Sequence, residues 1–191
     1  MKSFAAILFG VSVALSAPTE SLLERQARAC FIVGNQVLPA EVANIVTSLQ
    51  PQITCDATRT TLSGVPDVSS GGVSFSSINF ATSRQSALEF ALTTFATKSP
   101  LASNDLATFQ RQLDVYRATE AGIRSMGGNL AIKVPKFFLE FQISRIQTAQ
   151  GNPPTAPGQQ VDHKLGKVIK NVGRERQELL DQVTALARVL A

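Results

Sequence analysis

Apolar residues recur at helical spacing along most of this chain, and the clearest run lies between Ser103 and Ile146. Leu106, Phe109, Leu113, Tyr116 and Ile123 fall at steps of three, four, three and seven, which is one stripe of a helix. Arg111, Asp114, Arg117, Glu120 and Arg124 fall mainly off that stripe. Ser103 or Asn104 supplies a side-chain oxygen to cap the first turn, and Asp105 adds negative charge where the helix dipole favours it. Gly127-Gly128 ends this helix, since glycine enters the left-handed region without a Cβ clash. A second helix restarts near Pro135. Its Phe137, Phe138, Phe141, Ile143 and Ile146 cover more than one narrow face, so it is expected to be the most buried helix. Gly151 with Pro153-Pro154 stops it.

The same periodicity predicts three further helices. Pro39-Ala40-Glu41 opens a short one carrying Val42, Ile45, Val46 and Leu49, stopped by Pro51. Ser83 to Thr97 forms another, with Ala87, Leu88, Ala91, Leu92 and Phe95 on its apolar face, Phe90 widening it and Lys98-Ser99-Pro100 ending it. A proline-rich linker, Gly151 to Gln160, leads to a long helix from Val161 to Leu190, with a break expected near Gly173. Asp56 to Thr82 is the least helical stretch: Val65-Pro66-Asp67-Val68 and Ser69-Ser70-Gly71-Gly72 read as a turn-rich loop. Val73 to Ser76 alternates like a short strand until Ile78 and Phe80 break the pattern, and Phe31-Ile32-Val33 reads as a short strand or an extended arm. The predicted fold is mainly α: a bundle of about five helices with a short, disulfide-pinned N-terminal cap and little or no β.

Residues 1–16 read as a signal peptide. Lys2 gives the positive start, Phe4 to Leu15 is an apolar run too short to span a bilayer, and Ala14 and Ser16 give the small-x-small cleavage pattern. Residues 17–28 read as a pro-segment, because Arg25 and Arg28 stand four positions apart, counted inclusively, in a polar setting that a kexin- or furin-like protease would cut. Residues 29–191 then form a single helical domain. Cys30 and Cys55 are the only cysteines, and an exported chain would pair them. The loop they close is worth roughly 3 kcal/mol in the chain-entropy account.

Composition narrows the chemistry. The net charge of +4 is too small to argue for nucleic acid without a patch, and the hydrophobic content of 44% fits a globular chain. Lys164, Lys167, Lys170 and Arg174 form the one concentrated basic strip, a solvated helix face or a surface for an acidic partner or an anionic membrane. Phe109, Tyr116, Phe138 and Phe141 are core residues or the lining of an apolar pocket that carries a lipid or fatty acid. Gly71-Gly72 lacks the lysine and spacing of a phosphate loop and reads as a turn. His163 is the only histidine and has no nucleophile elbow to serve. Glu89, Asp114, Glu120 and Glu140 are the carboxylates that a glycosidase pair would draw on, and each reads as a surface charge. No metal-ligand cluster or cofactor motif and no Asn-x-Ser/Thr sequon is present in the sequence.

The leader, the start Ala29-Cys30-Phe31-Ile32-Val33-Gly34 and the stretch from Ala118 through Gly127-Gly128 to Lys136 resemble the small secreted proteins of filamentous ascomycete fungi. The resemblance covers the mature chain and carries no catalytic, metal or cofactor residues with it. It implies an extracellular protein of a fungal secretome and a candidate virulence effector. The expected function is thus that of a secreted, non-enzymatic protein meeting a host or cell-wall protein. The rivals are an apolar-ligand carrier, a surface-active protein whose last helix binds anionic lipid, and a hydrolase using His163 or a carboxylate pair.

Overall fold

A computed structural model describes residues 29–190. The expected signal peptide and the Arg25–Arg28 processing site lie outside them. Six α-helices occur among the described residues: α1 Ala40–Leu49, α2 Ala87–Thr94, α3 Leu106–Ser125, α4 Lys133–Ala149, α5 Val161–Val172 and α6 Gln177–Leu186. Three strands, β1 Thr54–Thr60, β2 Pro66–Ser70 and β3 Val73–Ser74, form an antiparallel sheet in the order β1-β2-β3. This overturns the expectation of a helical bundle with little or no β. The sheet occupies the stretch read as a turn-rich loop, whereas the long helix after the linker is parted at Gly173 (φ 69°), where the break was expected.

The sheet was hidden because its stability is not local. β1 is largely exposed and carries no apolar alternation. β2 holds a proline, an aspartate and two serines, all poor strand formers. It pairs Cys55 with Val68 and Thr54 with Ser69, and its inner face packs on α3. The buried Asp67 carboxylate accepts the Ser76 backbone N–H at 2.9 Å and lies 3.7 Å from Arg59. Gly71 and Gly72, with φ of 51° and 87°, make the two-residue turn that returns β2 as β3. Phe31 to Val33 is an arm, not a strand. Cys30 on this arm bonds Cys55 on β1 across 25 positions.

The two central helices begin and end for legible reasons. Asp105, one residue past the expected caps, accepts the Ala107 N–H at 3.1 Å. Asn104 is instead buried, bonding the backbone of Lys98 and Leu101. At the far end the Gly127 and Gly128 N–H groups donate to Arg124 and Ile123 carbonyls, with Gly127 left-handed at φ 70°. α4 lies centrally, packed on α2, α3 and α5.

α3 is touched on most sides. Tyr116 is fully buried, donates to the Ile78 carbonyl at 2.7 Å and meets the edges of Phe75 and Phe95 at 5.1 and 5.7 Å. Phe31 and Val65 lie against Gly122, where a Cβ would come within 2.5 Å of the Phe31 carbonyl and 2.7 Å of a Val65 methyl. The N–H groups of Val33 and Gly34 donate to Ser125 Oγ.

Gly122→Ala is therefore expected to destabilise the protein by about 1–3 kcal/mol through overpacking, against the gain of about 1 kcal/mol that alanine brings to a helix. Urea unfolding measures it, and a more stable variant would refute the close approach. A second expectation concerns alkali. Burial pushes the Tyr116 phenol far above its ordinary value. Its raised value makes it a source of stability that is complete below about pH 10 and lost as pH rises above it. Tyr116 is the one tyrosine in the chain, so the phenolate absorbance should appear only as helical circular dichroism is lost. Titration of the phenol in a still-helical protein would contradict this.

Candidate functional site

α1, α3, α4 and α5 surround a cleft of about 450 Å³. Seven cations line it, namely Arg117 and Arg124 from α3, Lys133 and Lys136 from α4, and Lys164, Lys167 and Lys170 from α5, against three carboxylates, Glu41, Glu120 and Glu140. Val42, Ile45 and Phe137 give it an apolar wall.

Two carboxylates, the buried Glu120 and the largely covered Glu140, organise the floor. Arg124 Nε and Nη2 donate to Glu120 Oε1 at 2.9 and 2.8 Å, and Lys136 Nζ lies 2.6 Å from Oε2. Arg117 Nη2 donates to Glu140 Oε1 at 3.1 Å, and Lys164 Nζ to Oε2 at 2.7 Å. Burial pushes the Glu140 carboxyl up, but the charges of Arg117, Lys164 and Lys136 outweigh it and hold the group below its ordinary value. A carboxyl so held stays ionised at neutral pH, which suits an anchor and not a general acid. Arg117 and Glu140 also line an adjoining cleft of about 310 Å³ with Asp114 and Ser144. There burial pushes the half-buried Asp114 carboxyl up, with Arg117 opposing.

The reading of Glu120 and Glu140 as surface charges is thus corrected: Glu120 is a buried counter-ion, and Glu140 is one with its side chain only 10% exposed. Glu89 is a partly exposed partner of Arg176 at 3.0 Å, and His163 is exposed on α5. The basic strip is divided. Lys164 turns inward with its side chain 8% exposed, Lys167 and Lys170 face the cleft from its rim, and Arg174 stands in the connector beyond α5, outside the cleft. Steps of three fall short of a helical turn, so the strip winds from interior to surface. Phe109, Tyr116, Phe138 and Phe141 are all buried in the core, the last two 6.0 Å apart.

Sequence reasoning missed the second half of the site. The spacing of Glu120 and Arg124 was a visible signal for an ion pair, but Lys136 and Lys164 join from other helices. It also missed Arg145, a fully buried guanidinium under α6, held by Gln142 Oε1 and the Val189 carbonyl at 2.9 Å, and lying 5.6 Å from the Phe141 ring. Burial pulls it down to about 10. Among the described residues no group of three His, Cys, Asp or Glu could hold a metal ion, and no helix is long and apolar enough to cross a membrane.

Glu140→Gln strands Arg117 and Lys164 and should destabilise the fold by about 3–5 kcal/mol at neutral pH. The lowered value of Glu140 makes it a source of stability that is present above about pH 4.5 and lost as pH falls through its depressed range. The variant should therefore lose part of the wild-type acid sensitivity below pH 4.5. Denaturant melts across acid pH test both, and an unchanged acid profile would count against the anchor.

Residues 32–191 match the family described as a domain of unknown function, DUF7143. No curated protein and no solved structure matches the chain. With most of its length covered by that match, from the disulfide-bonded arm through the last helix, the chain belongs to the DUF7143 family.

Proposed function

We propose that the chain is exported through an oxidising route and acts in the extracellular or host environment as a non-catalytic, effector-like binding protein whose basic cleft takes an acidic partner. One observation carries this reading: seven cations and three carboxylates share one cleft. A concave site between low-dielectric walls focuses such an excess of charge and draws anions to it. The two central carboxylates are each engaged by two cations, which leaves them as supports. The Cys30–Cys55 bond and the apolar leader at residues 4–15 support export.

Expression in a secretory host tests the first half. The medium should contain a chain beginning at Ala17 or Ala29 with both cysteines oxidised, as intact-mass spectrometry would show. Retention in the cell with free thiols would overturn it. Binding to poly-glutamate tests the second half. It should weaken with salt and with K167E/K170E, while R84E, exposed and outside the cleft, should have little effect. Equal effects of the two variants would refute the cleft as the site.

A further inference from the structure

The floor of the cleft holds more hydrogen-bond donors than acceptors. Both oxygens of Glu120 and both oxygens of Glu140 are already engaged by cations. An ammonium has three N–H donors. Lys164 directs one at Glu140 and the Lys136 ammonium lies 2.6 Å from Glu120 Oε2, although their side chains are only 8% and 12% exposed. The buried Arg117 Nε has no hydrogen-bond partner among the described residues. At the rim, Lys133, Lys167 and Lys170 make no ion pair among the described residues. The surplus is therefore one of donors and of positive charge together, and it asks for an anion with many acceptor oxygens.

The residue types narrow that anion further. Planar, bidentate recognition of a carboxylate favours arginine, whereas lysine binds phosphate as a point charge. Both arginines of the cleft already hold Glu120 and Glu140, as do Lys136 and Lys164 with one contact each, so three lysines unpaired among the described residues, Lys133, Lys167 and Lys170, and the spare donors of the other two are left to face a ligand. A phosphate group brings three strong acceptor oxygens and close to two charges. Val42, Ile45 and Phe137, the last with its ring centroid 4.2 Å from the Lys136 ammonium, offer apolar surface in the cleft that a purely inorganic ion would leave uncovered. The volume of about 450 Å³ is that of a small-ligand site.

Resting on the reading of the cleft as an acidic-partner site, we propose that its ligand is a compact organic polyphosphate. A small carbon frame lies on Phe137, and its phosphate groups meet Lys136 and Lys164 on the floor and Lys167 and Lys170 at the rim. The same chemistry occurs in a soluble compound and in a phosphorylated lipid headgroup.

Calorimetric titration of the secreted, disulfide-bonded chain with inositol hexakisphosphate tests it, beside benzenehexacarboxylate as a polycarboxylate of similar size. The hexakisphosphate should bind one to one and more tightly than the polycarboxylate. K167E/K170E should weaken it about ten-fold or more. These two lysines are not part of the buried ion pairs, so the variant should fold, and its circular dichroism is checked alongside. Phosphatidylcholine vesicles carrying phosphatidylinositol bisphosphate form the second arm. Vesicle binding that the hexakisphosphate displaces assigns the ligand to a lipid headgroup, and hexakisphosphate binding without vesicle binding assigns it to a soluble compound. The proposal is overturned if the polycarboxylate binds as tightly, or if K167E/K170E leaves hexakisphosphate binding unchanged. Poly-glutamate binding without hexakisphosphate binding would overturn the polyphosphate alone and leave an acidic partner standing. No binding to any of these anions would remove both.

Discussion

Close approach to α3 is the constraint on which the rest of this fold depends. The helix has one good apolar stripe, yet residues on almost every side of its C-terminal half are buried. Gly122 lets the N-terminal arm and Val65 rest against helix backbone. Ser125 then collects the backbone donors of Val33 and Gly34, so the arm that carries Cys30 is placed by a helix some ninety residues away in sequence. On another side Tyr116 gathers Phe75 and Phe95. What remains for Arg117, Glu120 and Arg124 is the direction that opens on α4 and α5, and there the cleft forms.

Ionic groups in that direction leave water, which gives the cleft its character. Removing charges from water is costly, and replacing a buried ion pair by apolar groups of the same shape is often neutral or stabilising. Stability is therefore a weak reason for two carboxylates under four cations. Their clear consequence is geometric. Glu120 ties α4 to α3 through Lys136, and Glu140 ties α3 and α5 to α4 through Arg117 and Lys164. The cations are thereby held facing one concavity, and more lysines can stand around it than the carboxylates neutralise.

Arg145 shows the same physics without a counter-ion. Its guanidinium is met by neutral oxygens from Gln142 and Val189 and by an aromatic face, and burial lowers its proton affinity. It fastens the segment after α6 to α4.

Local order was legible in the sequence because its causes lie within a turn or two of chain. The stripe of α3, the glycine stop at Gly127, the apolar breadth of α4, the stop at Gly151 and the turn at Gly71-Gly72 are all found where residue types require them. The pairing of two lone cysteines was legible from the sequence as well, as the simplest outcome for two thiols in a chain read as exported. The tertiary structure decided what depends on contacts far apart in sequence. β2 is a strand because β1 and α3 flank it, in spite of Pro66, Asp67, Ser69 and Ser70. Lys164 differs from Lys170 only in which way its turn of α5 faces, and Glu140 is largely covered only because α3 and α5 close on α4. Side-chain type sets what a residue can do locally, whereas solvent exposure and charge partners are set by the surfaces that folding brings together.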